Sequence, residues 1–257
     1  MEPSLQEVWA NGCDRMFQAM AEQLGANSVN VESAKKKYGY YRTVQGVVGE
    51  CNCSYMYPGT QKHRPVHLDD GTDNGSCGVL LDSIGWLHDK LGIATQQGGF
   101  RSCQFNNVVA SQYDYALGEY IPWHTDANEL IGPNALIASV SLDSPGAFVF
   151  APRMDTDFAH RWYHKQLAIR KEKQKQGGVR GVLPLFPGDV MIMRGTFQEN
   201  MMHKTLPVSR ITPSIFGDFP AVNPRLKDSL EQLLAVMPSI RKRKRSVITF
   251  RRIVRRT

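Results

Sequence analysis

His124, Thr125 and Asp126 form an HxD triplet in a turn-like part of the chain. In extended backbone, residues two apart point to one face, so an imidazole and a carboxylate at this spacing can reach one metal ion from adjacent directions. A third ligand has to come from elsewhere. His203, shortly after a β-prone run at 190–193, is well placed to supply it. Two histidines and one carboxylate on one face of an octahedral ion leave three positions open, the arrangement that suits non-haem Fe(II) oxygenases. With seven histidines in the chain, an HxD arises readily by chance, and on the triplet alone a satisfied core hydrogen bond is the favoured use for His203 or Asp126. The elements around these residues therefore matter.

Short β-prone runs punctuate the chain at 43–48, 108–115, 135–142, 147–150, 190–193 and 247–254. Clusters such as IGPN, DSPG and FPGD separate several of them, the turn chemistry expected between antiparallel strands. Three amphipathic helices are expected beside them. The first covers 4–24, with Leu5, Val8, Trp9, Phe17, Met20 and Leu24 at helical spacing and Gly25 beyond its end. The second covers about 78–91, with Leu80, Ile84, Leu87 and Leu91 on one face; the third covers 224–237, opened by Pro224 and closed by Pro238. The pattern predicts an all-β core, a double-stranded β-helix or jelly roll, with flanking helices.

Of the 257 residues, 42% are hydrophobic and 21% charged, which excludes disordered, collagen-like and low-complexity classes. No apolar run reaches the roughly 18 residues of a membrane span, and MEPSLQEVWANG lacks the pattern of a signal peptide. The expectation is a soluble intracellular protein. The five cysteines contain no CxxC pair, against both a disulfide framework and a zinc ribbon. The net charge of +7 is concentrated: residues 241–257 carry nine Lys or Arg and no acid, and residues 160–180 carry seven against Glu172. Such confinement reads as a footprint for a polyanion, with a solvated loop and tail as the plainer alternative.

The wider sequence carries four ordered motifs: Tyr115, Gly118 and His124 in YALGEYIPWHTD; the strand-like ALIASVSL; GDVMIMRGTFQENMMH leading to His203; and the closing RSVITFRRI. Together they resemble the AlkB family of Fe(II)/2-oxoglutarate dioxygenases, which repair or edit alkylated bases in nucleic acid. The resemblance covers about 105–254 and is strongest at 115–150 and 188–205. It implies one dioxygenase domain over 1–257: a helical extension at 1–40, a nucleotide-recognition lid at 41–75, and a jelly-roll core at 105–254 with insertions at about 155–180 and 209–240.

The same resemblance implies that His124, Asp126 and His203 bind Fe(II), with 2-oxoglutarate as cosubstrate, O2 as oxidant and ascorbate helpful in vitro. Arg245 falls where the family's arginine pairs with the distal carboxylate of 2-oxoglutarate, a role suited to a bidentate guanidinium; Arg210 is its rival, because 42 residues separate His203 from Arg245. Arg251 falls near the metal-proximal end of the cosubstrate. Tyr115 matches the tyrosine that contacts it. Tyr113 is a further candidate for cosubstrate binding; it and Val247 stand where relatives often have asparagine. For the substrate, Tyr55 and Tyr57 are stacking candidates in the lid, Asn128 and Glu129 are candidates for reading the base edge, and Arg153 is a further contact. The expected function is oxidative demethylation of N-alkylated bases in DNA or RNA by a monomer with no membrane partner, in nucleus or cytoplasm. The alternatives are a free nucleotide, lipid or protein substrate, or a non-catalytic nucleic-acid-binding module.

Overall fold

A computed structural model describes residues 42–47, 66–67, 85–87, 89, 105–121, 123–126, 128–153, 181–206, 228–229, 231–236 and 244–254, with 42–47, 66–67 and 128–129 as backbone. The expected helix at 4–24, the lid tyrosines Tyr55 and Tyr57, Arg210, the five cysteines, and the basic insertion at 155–180 lie outside these residues. Among the described residues no helix is long and apolar enough to cross a membrane.

Among the described residues nine strands form two sheets. They are β1 (Arg42–Val47), β2 (Val66–His67), β3 (Asn107–Asp114), β4 (Ile137–Leu142), β5 (Gly146–Pro152), β6 (Gly181–Leu185), β7 (Val190–Met193), β8 (Met201–Leu206) and β9 (Lys244–Arg251). The larger sheet has the order β2-β1-β3-β9-β4-β7, and the smaller has β6-β5-β8. Every pairing is antiparallel except β1 with β2. The architecture is a jelly roll. An apolar cluster joins the sheets: Ile137, Met191 and Met193 from the larger meet Phe148 and Leu185 from the smaller. A second cluster brings Tyr113, Tyr115 and Val247 against Ala147, Val149, Leu206 and Leu233, the last in a helical stretch at 231–236.

The turns follow the local chemistry of the sequence. In FPGD, Gly188 takes a left-handed φ of 93° and Asp189 accepts the Phe186 N–H at 2.7 Å, while Gly188 donates to Ser141. That conformation is open to glycine without steric cost. In DSPG the left-handed residue is Asp143, at φ 63°. Such turns let β4 hand over to β5 and β7 come back beside β4.

Several expectations need correction. The closing strand begins at Lys244, three residues before the expected start, because the cationic run hid a segment whose Arg245 and Ser246 are buried. His203 lies within a strand of its own, β8, where it was expected merely to follow one. β8 and β6 carry no strand pattern in the sequence. β8 reads MMHKTL with no alternation of burial, and β6 contains Pro184, which a sheet tolerates because β6 is an edge strand. Of the helix expected at 78–91, residues 85–87 and 89 are helical among those described; of that at 224–237, residues 228–229 and 231–236 are.

Candidate metal centre and cosubstrate pocket

His124 and His203 pair as an isolated antiparallel bridge, each donating its N–H to the other's carbonyl at 2.9 Å. Strand β8 thus holds the HxD segment against itself, and the two rings lie 4.2 Å apart between centroids. Two residues on, Asp126 is 3% exposed, with Oδ2 3.9 Å from Nε2 of His203 and Oδ1 accepting from Nη1 of Arg251 at 3.0 Å. The structure therefore brings together His124, Asp126, His203 and Arg251. Among the described residues no three His, Cys, Asp or Glu side chains already converge as a finished metal cage; what the backbone supplies is proximity.

Burial, reinforced by the neighbouring His124, lowers the His203 pKa to about 3, with Asp126 pulling the other way and Arg251 adding to the fall. At neutral pH the ring is uncharged, so its approach to Asp126 is not an ion pair. Neutral imidazole is also the form that binds metals. Phe148 stacks on the ring at 5.1 Å and Phe197 lies 6.1 Å away, while Nδ1 is buried without a hydrogen-bond partner among the described residues. His124 is half-buried.

The second half of the site is built on β9. Arg245 and Arg251 are six apart on one strand and both are buried, at 1% and 2% exposure. Arg245 bonds Ser141 Oγ from Nη2 at 3.1 Å and lies against the Tyr115 hydroxyl, which donates to Pro145 O at 3.0 Å. Burial pushes the Tyr115 phenol up despite the guanidinium, so it keeps its proton. Gly146 lets both side chains pack against the backbone: a β-carbon there would stand 2.8 Å from Arg245 Cζ and Nε and from the Tyr115 hydroxyl. Among the described residues, the partners of this buried guanidinium are hydroxyls. A buried cation without a carboxylate is costly, and a carboxylate ligand would complete it.

Tyr113 is 2% exposed, sits opposite Arg245 in the β3–β9 register and belongs to the apolar cluster around Leu233. Arg153 is half-buried just beyond β5, its N–H bonded to Asn200 O at 2.7 Å. Asn128 and Glu129 open the short helix α1 (Asn128–Ile131), directly after the HxD segment; their side chains lie outside the described set. Residues the sequence reading passed over include Ser141, Gly146 and Gln198, the last in α2 (Phe197–Asn200). Ser139 and Ser141 carried a signal, since two serines alternating with Ala138, Val140 and Leu142 in a fully buried strand need polar partners. Ser139 finds Thr249 at 3.1 Å.

The chain matches the 2OG-Fe(II) oxygenase superfamily over residues 14–251 and belongs to it. Fe(II), 2-oxoglutarate and O2 are accordingly its cofactor and cosubstrates. Among particular proteins, it is 28% identical over 101 residues to the DNA oxidative demethylase ALKBH2 of Arabidopsis thaliana. That stretch is 39% of this chain and 32% of the relative, so the chain spans about a third of that protein's length. The solved structure of OsALKBH1 is 15% identical, with 74% of this chain and 66% of that one covered at a TM-score of 0.34. A prolyl-4-hydroxylase of Pseudomonas putida is 13% identical, with 98% and 89% covered at a TM-score of 0.41. The donor set fits the superfamily's needs: a neutral buried imidazole, a carboxylate with one oxygen held by Arg251 and the other turned to His203, and a buried guanidinium with no anion beside it among the described residues.

Proposed function

We propose that this chain is an Fe(II)/2-oxoglutarate-dependent oxidative demethylase of N-alkylated bases in DNA or RNA. The observation that supports the reading is the bridge between His124 and His203, which brings two imidazoles beside the Asp126 carboxylate, whose partner Arg251 shares strand β9 with the buried Arg245. In this reading His124, Asp126 and His203 hold the metal. Arg245, Ser141 and Tyr115 take the distal carboxylate of 2-oxoglutarate. Arg251 holds Asp126 beside the proximal end, and Tyr113 forms part of the apolar wall.

With 2-oxoglutarate and O2 bound, iron supplies oxidation of an N-methyl carbon, which is lost as formaldehyde while 2-oxoglutarate becomes succinate and CO2. The protein's own residues bind, orient and exclude water. Phe148 and Phe197 shield His203, and Arg251 holds one oxygen of the Asp126 carboxylate. Nucleic acid as substrate is supported by the activity of the Arabidopsis relative and by the cation-rich stretches at 160–180 and 241–257. Tyr55, Tyr57, Asn128, Glu129 and Arg153 are the proposed substrate contacts.

Incubating a panel of methylated oligonucleotides with the protein, Fe(II), ascorbate and 2-oxoglutarate tests this by mass spectrometry. Loss of a methyl group from at least one N-methylated base, dependent on 2-oxoglutarate, is the expected result. Succinate formation with every oligonucleotide unchanged would move the substrate to another class.

A further inference from the structure

Gln198 is 2% exposed, a polar amide buried in the four-residue helix α2. Its Oε1 accepts the peptide N–H of Asp126 at 2.9 Å, and its Nε2 approaches Met193 Sδ at 3.2 Å. The two ends differ in strength, because a thioether is a weak acceptor. The orientation of the amide is therefore set by Asp126, since the reverse rotamer would press an NH2 against an N–H. A buried amide whose oxygen takes the peptide N–H of Asp126 fixes where that peptide lies.

Its place in the chain gives the bond a mechanical consequence. Helix α2 runs directly into β8, so Gln198 and His203 stand on consecutive elements, five residues apart. The HxD segment is tied to β8 through the bridge at His124, and Asp126 lies two residues beyond that tie, in irregular backbone before α1. The Gln198 bond is a second tie, made at Asp126 itself. On the far side Arg251 pulls the carboxylate toward β9. Asp126 is thus held by its peptide from α2 and by its side chain from β9, and its distance from His203 depends on both.

We infer that Gln198 is a positioning residue for the metal site: by fixing the Asp126 peptide it sets the spacing between the two ligand-bearing segments, and metal affinity depends on it. The inference rests on the reading of Asp126 and His203 as metal ligands. Groups that orient metal ligands typically change affinity by about 10–100-fold when removed, and a fall of that size is expected here. Leucine keeps the volume of glutamine but leaves the Asp126 N–H without its acceptor.

The test is a titration of the full-length, metal-free protein with Mn(II) alone, read by electron paramagnetic resonance, with thermal unfolding of the metal-free protein alongside. Gln198→Leu should bind Mn(II) at least about tenfold more weakly than wild type. If that variant does not fold, Gln198→Asn gives the same reading, because it keeps the amide but falls a methylene short. Leu233→Ala, which opens a cavity in the helical stretch at 231–236, should lower the unfolding temperature and leave Mn(II) affinity within about twofold. A role in stability alone predicts that Gln198→Leu behaves like Leu233→Ala, and that result would overturn the inference. Asp126→Ala separates the two levels. Wild-type Mn(II) affinity in Asp126→Ala would sink the metal-site reading itself, whereas loss there with retention in Gln198→Leu would sink the role of Gln198 alone.

Discussion

Arg251 Nη1 stands 3.0 Å from Asp126 Oδ1, with both side chains at most 4% exposed. A buried ion pair of this kind adds little net stability, because desolvation offsets most of the attraction. Removing one partner is a different matter, since the other charge is then left in low dielectric. Arg251→Met should destabilise the metal-free protein by about 3–5 kcal/mol. If Asp126 binds metal, a bound divalent cation takes over part of the charge compensation, and Mn(II) should restore more stability to this variant than to wild type. Urea unfolding with and without Mn(II) measures both quantities; equal stabilisation of the two proteins would detach Asp126 from the metal.

The Arg245 pocket makes a paired prediction. Arg245→Ala would leave a bound carboxylate without its charge-assisted partner, a loss of about 2–5 kcal/mol by analogy with truncated buried pairs, so half-saturating 2-oxoglutarate should rise more than tenfold. Arg245→Lys should recover only part, because a point charge lacks the guanidinium fork. Gly146→Ala should raise the same constant and cost about 1–3 kcal/mol of stability, because its methyl must displace the buried Arg245 guanidinium and Tyr115 hydroxyl. Titrations followed by succinate yield decide it. An unchanged constant in Arg245→Ala, with a raised one in Arg210→Ala, would move the cosubstrate contact to Arg210.

The lowered pKa of His203 gives a pH dependence with a definite sign. The unfolded chain takes up a proton on this imidazole near pH 6.5, and the folded chain refuses it until about pH 3. Stability from this group is therefore complete above pH 6.5 and falls as pH drops through that window, by at most about 1.4 kcal/mol per unit. Metal-free wild type should lose about 2 kcal/mol between pH 6.5 and about pH 5 from this source. Denaturant midpoints of His203→Gln over the same range should fall less steeply. Parallel curves would mean that His203 is protonated in the folded state.

The basic insertion is tested by salt. Each phosphate neutralised contributes a log-log slope of roughly 0.7–0.9 in nucleic-acid affinity. Neutralising Lys171, Lys173 and Lys175 together should flatten the slope and leave 2-oxoglutarate turnover without nucleic acid intact. An unchanged slope returns the segment to a solvated loop.

The HxD triplet and His203 were legible because the chemistry needs particular side chains at a particular spacing. The β-prone runs at 108–115, 135–142 and 190–193 were legible because β-branched residues lie between turn-forming clusters. β8 was not, since MMHKTL has neither alternation nor β-branched density, and tertiary pairing with β5 makes it a strand. Gln198 and Gly146 act through a peptide N–H and through a missing β-carbon. Neither leaves a mark on the sequence until the fold brings Asp126, Arg245 and Tyr115 beside them.

The most direct measurement is the stoichiometry of succinate and demethylated base formed from an N-methylated oligonucleotide, for wild type beside His124→Ala, Asp126→Ala and His203→Ala. The expected result is near-equal production of the two by wild type, and loss of both in all three variants while thermal unfolding shows each still folded. Demethylation retained by any one of the three would remove that residue from the metal site, and its absence in wild type with every N-methylated base, while succinate forms, would contradict nucleic acid demethylation as the function.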